Sequence, residues 1–192
     1  MVYYSYAPIE TGRLPLPPTL AEYLSQSPPK NTAARHAALS LLLHLSAHTG
    51  LSVDHPVQVS EHGRPHFAAS DAPDFNLSHT GDLAAAILGH GRVGIDVQEE
   101  LDTLATDRLA ARFFSLGEQE RLCGAPRELF FELWTKKEAL GKLLGVGLPP
   151  LLGKDTEALA AQHRLVFATE RISIGDKTYT LTACASEPIR RL

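Results

Sequence analysis

The stretch Leu83–Gln98 reads LAAAILGHGRVGIDVQ, two apolar runs of strand length separated by Gly89-His90-Gly91. Its reading decides how the chain divides. Before it, AARHAALSLLLHL predicts a helix to about His48, capped by Asn31 or Thr32. Short extended pieces follow: PVQVSE alternates, GRP is a turn and FNLSH is a brief strand. After the stretch the pattern turns helical again. Ser115 with Glu118 three residues on forms a capping box for a helix at LGEQERL, and a longer helix runs from about Arg127 to Leu144. RLVFATE, RISIG and TYTLTACAS return to strands, with Gly175-Asp176 at a hairpin turn. The chain reads as helix then strands, and then helices then strands once more, with the seam near His90. This is an α+β fold of two similar subdomains, 1–90 and 91–192, related by a pseudo-two-fold, and their junction is the natural place for a ligand cleft. The proline-rich first 31 residues, with PLPP and SPPK, are expected to pair little beyond a short strand at Val2–Tyr6.

The totals narrow the function. A chain of 192 residues with 44% hydrophobic and 21% charged residues is of the globular class. A formal net charge of −4 argues against a general nucleic-acid binder, so an anionic ligand must meet a local basic cluster. Cys123 and Cys184 form neither a metal-ligand nor a redox spacing and fit a reducing compartment. No apolar run approaches the ~20 residues of a membrane span. MVYYSYAPIE lacks the make-up of a secretory signal. The expectation is a cytoplasmic protein with no membrane or nucleic-acid partner.

Several polar residues stand out against this background. In VGIDVQ, strand alternation turns Asp96 and Gln98 to one side and Ile95 and Val97 to the other. On these residues alone an exposed strand face is the commoner reading. Along the helix, Leu129, Phe130, Leu133, Leu140, Leu143 and Leu144 gather into an apolar arc, with Glu132 and Thr135 roughly opposite. Glu138 and Lys142, spaced i, i+4, share a flank with Phe131 and Trp134. A surface pair of that kind contributes only ~0.2–0.5 kcal/mol, so a cleft wall explains its place beside large aromatics better. If Asp96 and Glu138 converge they form a hard-oxygen site suited to Mg²⁺ and a substrate phosphate. Ser78-His79, Arg64, Lys137, Lys142, Lys30 and Arg35 could then hold phosphate oxygens.

Taken in order, GRP (63–65), FNLSHT (75–80), VGIDVQ (93–98), FFSLGE (113–118) and WTKKEALGK (134–142) resemble the 4′-phosphopantetheinyl transferases. The likeness is to their longer, pseudo-duplicated type that activates peptide synthetases such as the surfactin synthetase. The resemblance implies a small antiparallel sheet against a long helix in each half. It also implies transfer of the phosphopantetheine arm of coenzyme A to a serine of an acyl or peptidyl carrier protein, releasing 3′,5′-ADP. Asp96 and Glu138 would ligate Mg²⁺, with Gln98 a weaker third contact, direct or through water. Glu138 would take the serine proton and Lys142 would neutralise the leaving phosphate. Arg35, Arg64, Ser78, His79, Lys137 and Lys142 would contact coenzyme A or act on its charge. Gln98 replaces a second strand acid, and Arg64 the usual lysine of the turn. The resemblance further implies a monomer. Three other readings stay open: a coenzyme A-binding module without catalysis, a metal-dependent phosphohydrolase, and charged surface residues without a site.

Overall fold

The computed structural model describes residues 1–26 and 28–192; Ser27, within SPPK, lies outside them. The elements in chain order are β1 (Val2–Pro8), α1 (Pro18–Ser25), α2 (Thr32–Thr49), β2 (Val57–Val59), β3 (Pro65–Phe67), β4 (Asp74–Thr80), β5 (Leu83–Gly89), β6 (Val93–Glu99), α3 (Thr106–Phe113), α4 (Leu116–Leu122), α5 (Glu128–Leu144), α6 (Thr156–Gln162), β7 (Val166–Ile174), β8 (Lys177–Ala185) and β9 (Ile189–Arg191). The fold is mixed α+β with small sheets. One sheet has the order β4-β5-β1-β9, with only β9 parallel to its neighbour β1. The second, β6-β8-β7, is antiparallel throughout, and β2 pairs with β3 alone.

The apolar run of β5 is buried at every position because both of its faces are covered. Leu83, Ala85 and Ile87 join Val93, Ile95, Val97, Leu181 and Ala183 in a core shared by the two sheets. Ala86 and Leu88 face the other way, onto Leu39, Leu42 and Leu45 of α2 and Leu20 of α1. On the second sheet, α5 packs against β6 and β8 through Ala139, Leu140, Leu143 and Cys184. Gly94 permits that approach: a Cβ there would come within 2.1 Å of the Ala139 carbonyl oxygen.

The sheets also meet edge to edge, at β4 and β6, by an unusual ladder. Asp74, Asn76, Ser78 and Thr80 on β4 accept from the amides of Val93, Ile95, Val97 and Glu99 on β6, at 3.0, 3.0, 3.2 and 3.4 Å. Side-chain oxygens at every second position replace the carbonyls of a normal ladder. They satisfy buried edge amides while holding the strands further apart than backbone pairing would.

Several expectations need correction. The N-terminal segment forms α1 as well as β1, because Pro18 occupies the first helical turn, where its fixed φ and missing N–H suit a helix start. Asn31 stands before α2 but makes no side-chain cap. RLVFATE and RISIG are one nine-residue strand, β7, and α3, α6 and β9 were not foreseen. Thr135 does not face solvent: it is fully buried, donating to the Phe131 carbonyl and paired with Thr182 at 2.8 Å. The Ser115–Glu118 capping box and the Gly175-Asp176 turn are as expected.

Candidate functional site

Three elements converge at the ladder. β4 contributes Ser78, β6 contributes Asp96 and Gln98, and α5, lowered onto Gly94, contributes Glu138 and Lys142. Asp96 is 7% exposed, and its Oδ1 accepts from Lys142 Nζ at 2.7 Å and from Ser78 Oγ at 3.0 Å. Lys142 Nζ also donates to Ser78 Oγ at 2.9 Å and to the Ile95 carbonyl at 3.1 Å. A cavity of about 340 Å³ over this group is lined by Ser78, His79, Asp96, Gln98, Trp134, Glu138 and Lys142.

Glu138 differs from its neighbours in having no direct partner for its charge among the described residues. Among the described residues its carboxylate takes no hydrogen bond and no ion pair. Burial and the nearby Asp96 charge push its carboxyl up to about 7, against the opposing pull of Lys142. Gln98 donates Nε2 to the Glu99 carbonyl, which leaves its Oε1 as an acceptor.

A second cavity, of about 230 Å³, shares Leu77, His79 and Lys142 with the first. Arg35, Tyr23, His62, Gly63 and Arg64 are also in its wall. The Arg35 guanidinium lies 5.2 Å over the Tyr23 ring. Burial, with Lys142 and Arg35 nearby, holds the His79 imidazole below its usual range. Three cationic side chains, Lys142, Arg35 and Arg64, and the His79 imidazole thus border adjoining hollows.

Two expected phosphate contacts are placed otherwise. Lys137 is not brought to the cleft: it is 1% exposed, donates to the Lys154 carbonyl at 2.5 Å and pairs with Glu118 at 3.1 Å. The reason is angular, since at ~100° per residue a helix turns consecutive side chains to different sides. Arg64 lines the second cavity, but its guanidinium is bonded to Asp74, to Val93 and to the Lys142 carbonyl. Asp74 and Gly94 matter to the site although sequence reasoning gave neither of them a role in it. The alternation of polar residues through DFNLSHT was the signal for Asp74.

The sequence is similar to a set of known proteins that share one described activity. A family model described as the 4′-phosphopantetheinyl transferase superfamily matches residues 92–180. The chain is 36% identical over 181 residues to the 4′-phosphopantetheinyl transferase AcpT of Escherichia coli O157:H7, covering 88% of this chain and 87% of that protein. It is 31% identical over 141 residues to the 4′-phosphopantetheinyl transferase psf-1 of Bacillus pumilus, covering 66% of this chain and 58% of psf-1. Over 82 residues it is 40% identical to the 4′-phosphopantetheinyl transferase HetI of Nostoc sp., 40% of this chain and 35% of that one.

Proposed function

The chain belongs to the 4′-phosphopantetheinyl transferase superfamily, and we propose that it moves the phosphopantetheine arm of coenzyme A onto a serine of an apo-carrier protein, releasing 3′,5′-ADP. The observation that carries this reading is the meeting of Asp96, Glu138, Lys142 and Ser78 around one cavity, with a half-buried carboxylate left unpaired. Surface decoration does not account for a partly buried carboxylate left unpaired in a cavity wall.

The donor set fits Mg²⁺. That ion takes one or two carboxylates and leaves the rest of its shell to water and phosphate. Among the described residues no group of three or more His, Cys, Asp or Glu could cage a metal alone. Asp96 and Glu138 would hold the cation, with Gln98 Oε1 direct or through water. Bound there, it would neutralise the coenzyme A pyrophosphate and make the reacting phosphorus more electrophilic.

The chain's own groups then divide the work. The carrier serine oxygen gains a bond to the phosphopantetheine phosphorus, the bond from that phosphorus to the 3′,5′-ADP leaving group breaks, and the serine proton goes to Glu138. Lys142 answers the charge that grows on the leaving phosphate. Arg35 and His79, in the adjoining wall, are the candidate contacts to the rest of the phosphates.

The same reading takes 1–90 and 91–192 as two pseudo-symmetric halves, each with one long helix, α2 or α5, against a sheet. A single chain supplies every group named here, which favours action as a monomer. None of the described helices is long and apolar enough to cross a membrane. The free thiols of Cys123 and Cys184 fit the cytoplasm. The test is intact-mass spectrometry of a panel of apo-carriers incubated with enzyme, Mg²⁺ and coenzyme A. A gain of one phosphopantetheine on at least one carrier is expected. No gain on fatty-acid, polyketide or peptide carriers, or coenzyme A breakdown without any carrier, would overturn it.

A further inference from the structure

Arg64 stands where a phosphate contact was expected, yet its guanidinium is spent on the protein. Its side chain is 11% exposed. Nε donates to the Lys142 carbonyl at 2.8 Å, and Nη2 donates to Asp74 Oδ2 at 2.5 Å and to the Val93 carbonyl at 3.0 Å. Nη1 reaches the Pro65 carbonyl at 3.4 Å. The edge an arginine would use to clamp a phosphate is occupied.

Three of these acceptors, Lys142, Asp74 and Val93, lie on α5, β4 and β6, the elements that carry the site. One planar group therefore touches the strand of Ser78, the strand of Asp96 and the helix of Glu138 and Lys142. Both ends of the brace are fixed. Asp74 Oδ2 accepts from the Val93 amide at 3.0 Å as well as from Arg64. The turn carrying Arg64 is closed by Gly63 to the Ser60 carbonyl, by the Arg64 amide to Ser60 Oγ and by the Ser60 amide to the Arg64 carbonyl, at 2.8, 3.1 and 2.9 Å. Gly63, at φ 81°, supplies the left-handed residue the turn requires. At the other end, the Lys142 carbonyl, in the last turn of α5, accepts from the Gly145 amide at 3.2 Å as well as from Arg64, and a cation there complements the helix dipole.

We propose that Arg64, locked by Asp74, is a positioning residue for the transfer reaction: it fixes the end of α5 so that the Lys142 ammonium meets Asp96 and Ser78. The inference rests on the transferase reading of the site. Lysine at 64 would keep the charge but lose the planar fork, so charge alone does not replace it.

Arg64→Lys, Asp74→Asn and the double variant are compared with wild type for kcat and for KM toward coenzyme A, at saturating carrier. The expected result is a fall in kcat of about tenfold or more in each single variant, with KM within about threefold. The double variant should be no worse than the poorer single one, because the two side chains act as one brace. A tenfold rise in KM with kcat retained would make Arg64 a phosphate ligand and overturn the inference, as would wild-type kinetics in Arg64→Lys. Amide hydrogen exchange over residues 141–147 is read in the same proteins. It should be at least about tenfold faster in both single variants, while α2 keeps its protection. Unchanged exchange there would overturn the inference whatever the transfer assay gives. If wild-type enzyme transfers nothing, the functional reading fails by itself, and the exchange result still decides whether Arg64 holds α5. Asp74→Asn changes no volume, so it serves if Arg64→Lys fails to fold.

Discussion

Helix α5 carries two lysine–carboxylate sites one residue apart in sequence and opposite in character. On one side Lys137 meets Glu118, both 1% exposed. Every demand of Glu118 is met: it accepts from the Thr156 hydroxyl at 2.6 Å, the Thr156 amide at 3.1 Å and the Ser115 amide at 2.8 Å. Burial pushes its carboxyl up, yet those hydrogen bonds and Lys137 outweigh it and hold the group below the usual range. On the other side Glu138 has no such partners and is pushed up to about 7. The difference separates charges that hold the fold from charges kept for a ligand. In the first site the protein satisfies its own carboxylate; in the second it leaves the demand open.

The largest expected effect is on chemistry at the open site. Glu138→Gln should lower transfer by ~10³-fold or more while the protein stays folded, measured by carrier mass gain and far-ultraviolet circular dichroism. Asp96→Ala should do nearly as much. At the closed site the damage should be to stability instead. Glu118→Ala strands a buried ammonium and should cost about 3–5 kcal/mol in urea unfolding. Replacing both partners, as Glu118→Gln with Lys137→Met, should cost less than Glu118→Ala. A transfer defect in that double variant at full stability would erase the distinction between the sites.

A smaller effect is expected at Lys142. Lys142→Ala should lower kcat by about 100-fold and change the KM for coenzyme A less, since its charge serves the leaving group. The two carboxylates should also pull the pH dependence of stability in opposite directions, measured with chelator present. The folded carboxyl of Glu138 titrates above its unfolded value of 4.5, so its charged form burdens the fold above about pH 7, and the burden is gone below 4.5. Glu138→Gln should therefore stabilise the protein by about 1–3 kcal/mol at pH 8, the gain closing as pH falls toward 4.5. Glu118 has the reverse sign. Its stabilisation is full above the unfolded pKa and is lost as pH falls through the folded one, so Glu118→Gln should cost most at neutral pH.

Much of this contrast was legible in the sequence, and the remainder has physical reasons. Strand alternation put Asp96 and Gln98 on one side of β6, and helical spacing put Glu138 and Lys142 on one flank of α5. The order of the motifs carried the family. What the sequence could not supply was depth. The apolar arc of α5 does not reveal that α4 and α6 also pack on the helix, so Lys137 read as a phosphate contact and Thr135 as solvent-facing. Ser115 and Glu118 announced a capping box, but the same carboxylate's bonds to Thr156 and Lys137 reach 38 and 19 residues along the chain, beyond any local pattern. Prolines read as breakers hid α1, because a helix start tolerates what a helix interior does not. Arg64 in a turn offered a charge but not its direction, and the direction depends on Asp74, ten residues on.

The central claim is that Asp96 and Glu138 share one divalent cation, and Trp134, the chain's one tryptophan, lines the same cavity. Mn²⁺, which is paramagnetic, can stand in for Mg²⁺ as a quencher of its fluorescence. Titrated into the enzyme with coenzyme A bound, Mn²⁺ should quench Trp134 saturably, and Asp96→Asn and Glu138→Gln should each abolish that quenching while Glu118→Gln keeps it. Saturable quenching of wild-type strength in both cleft variants, or none in the wild-type enzyme, would contradict the account.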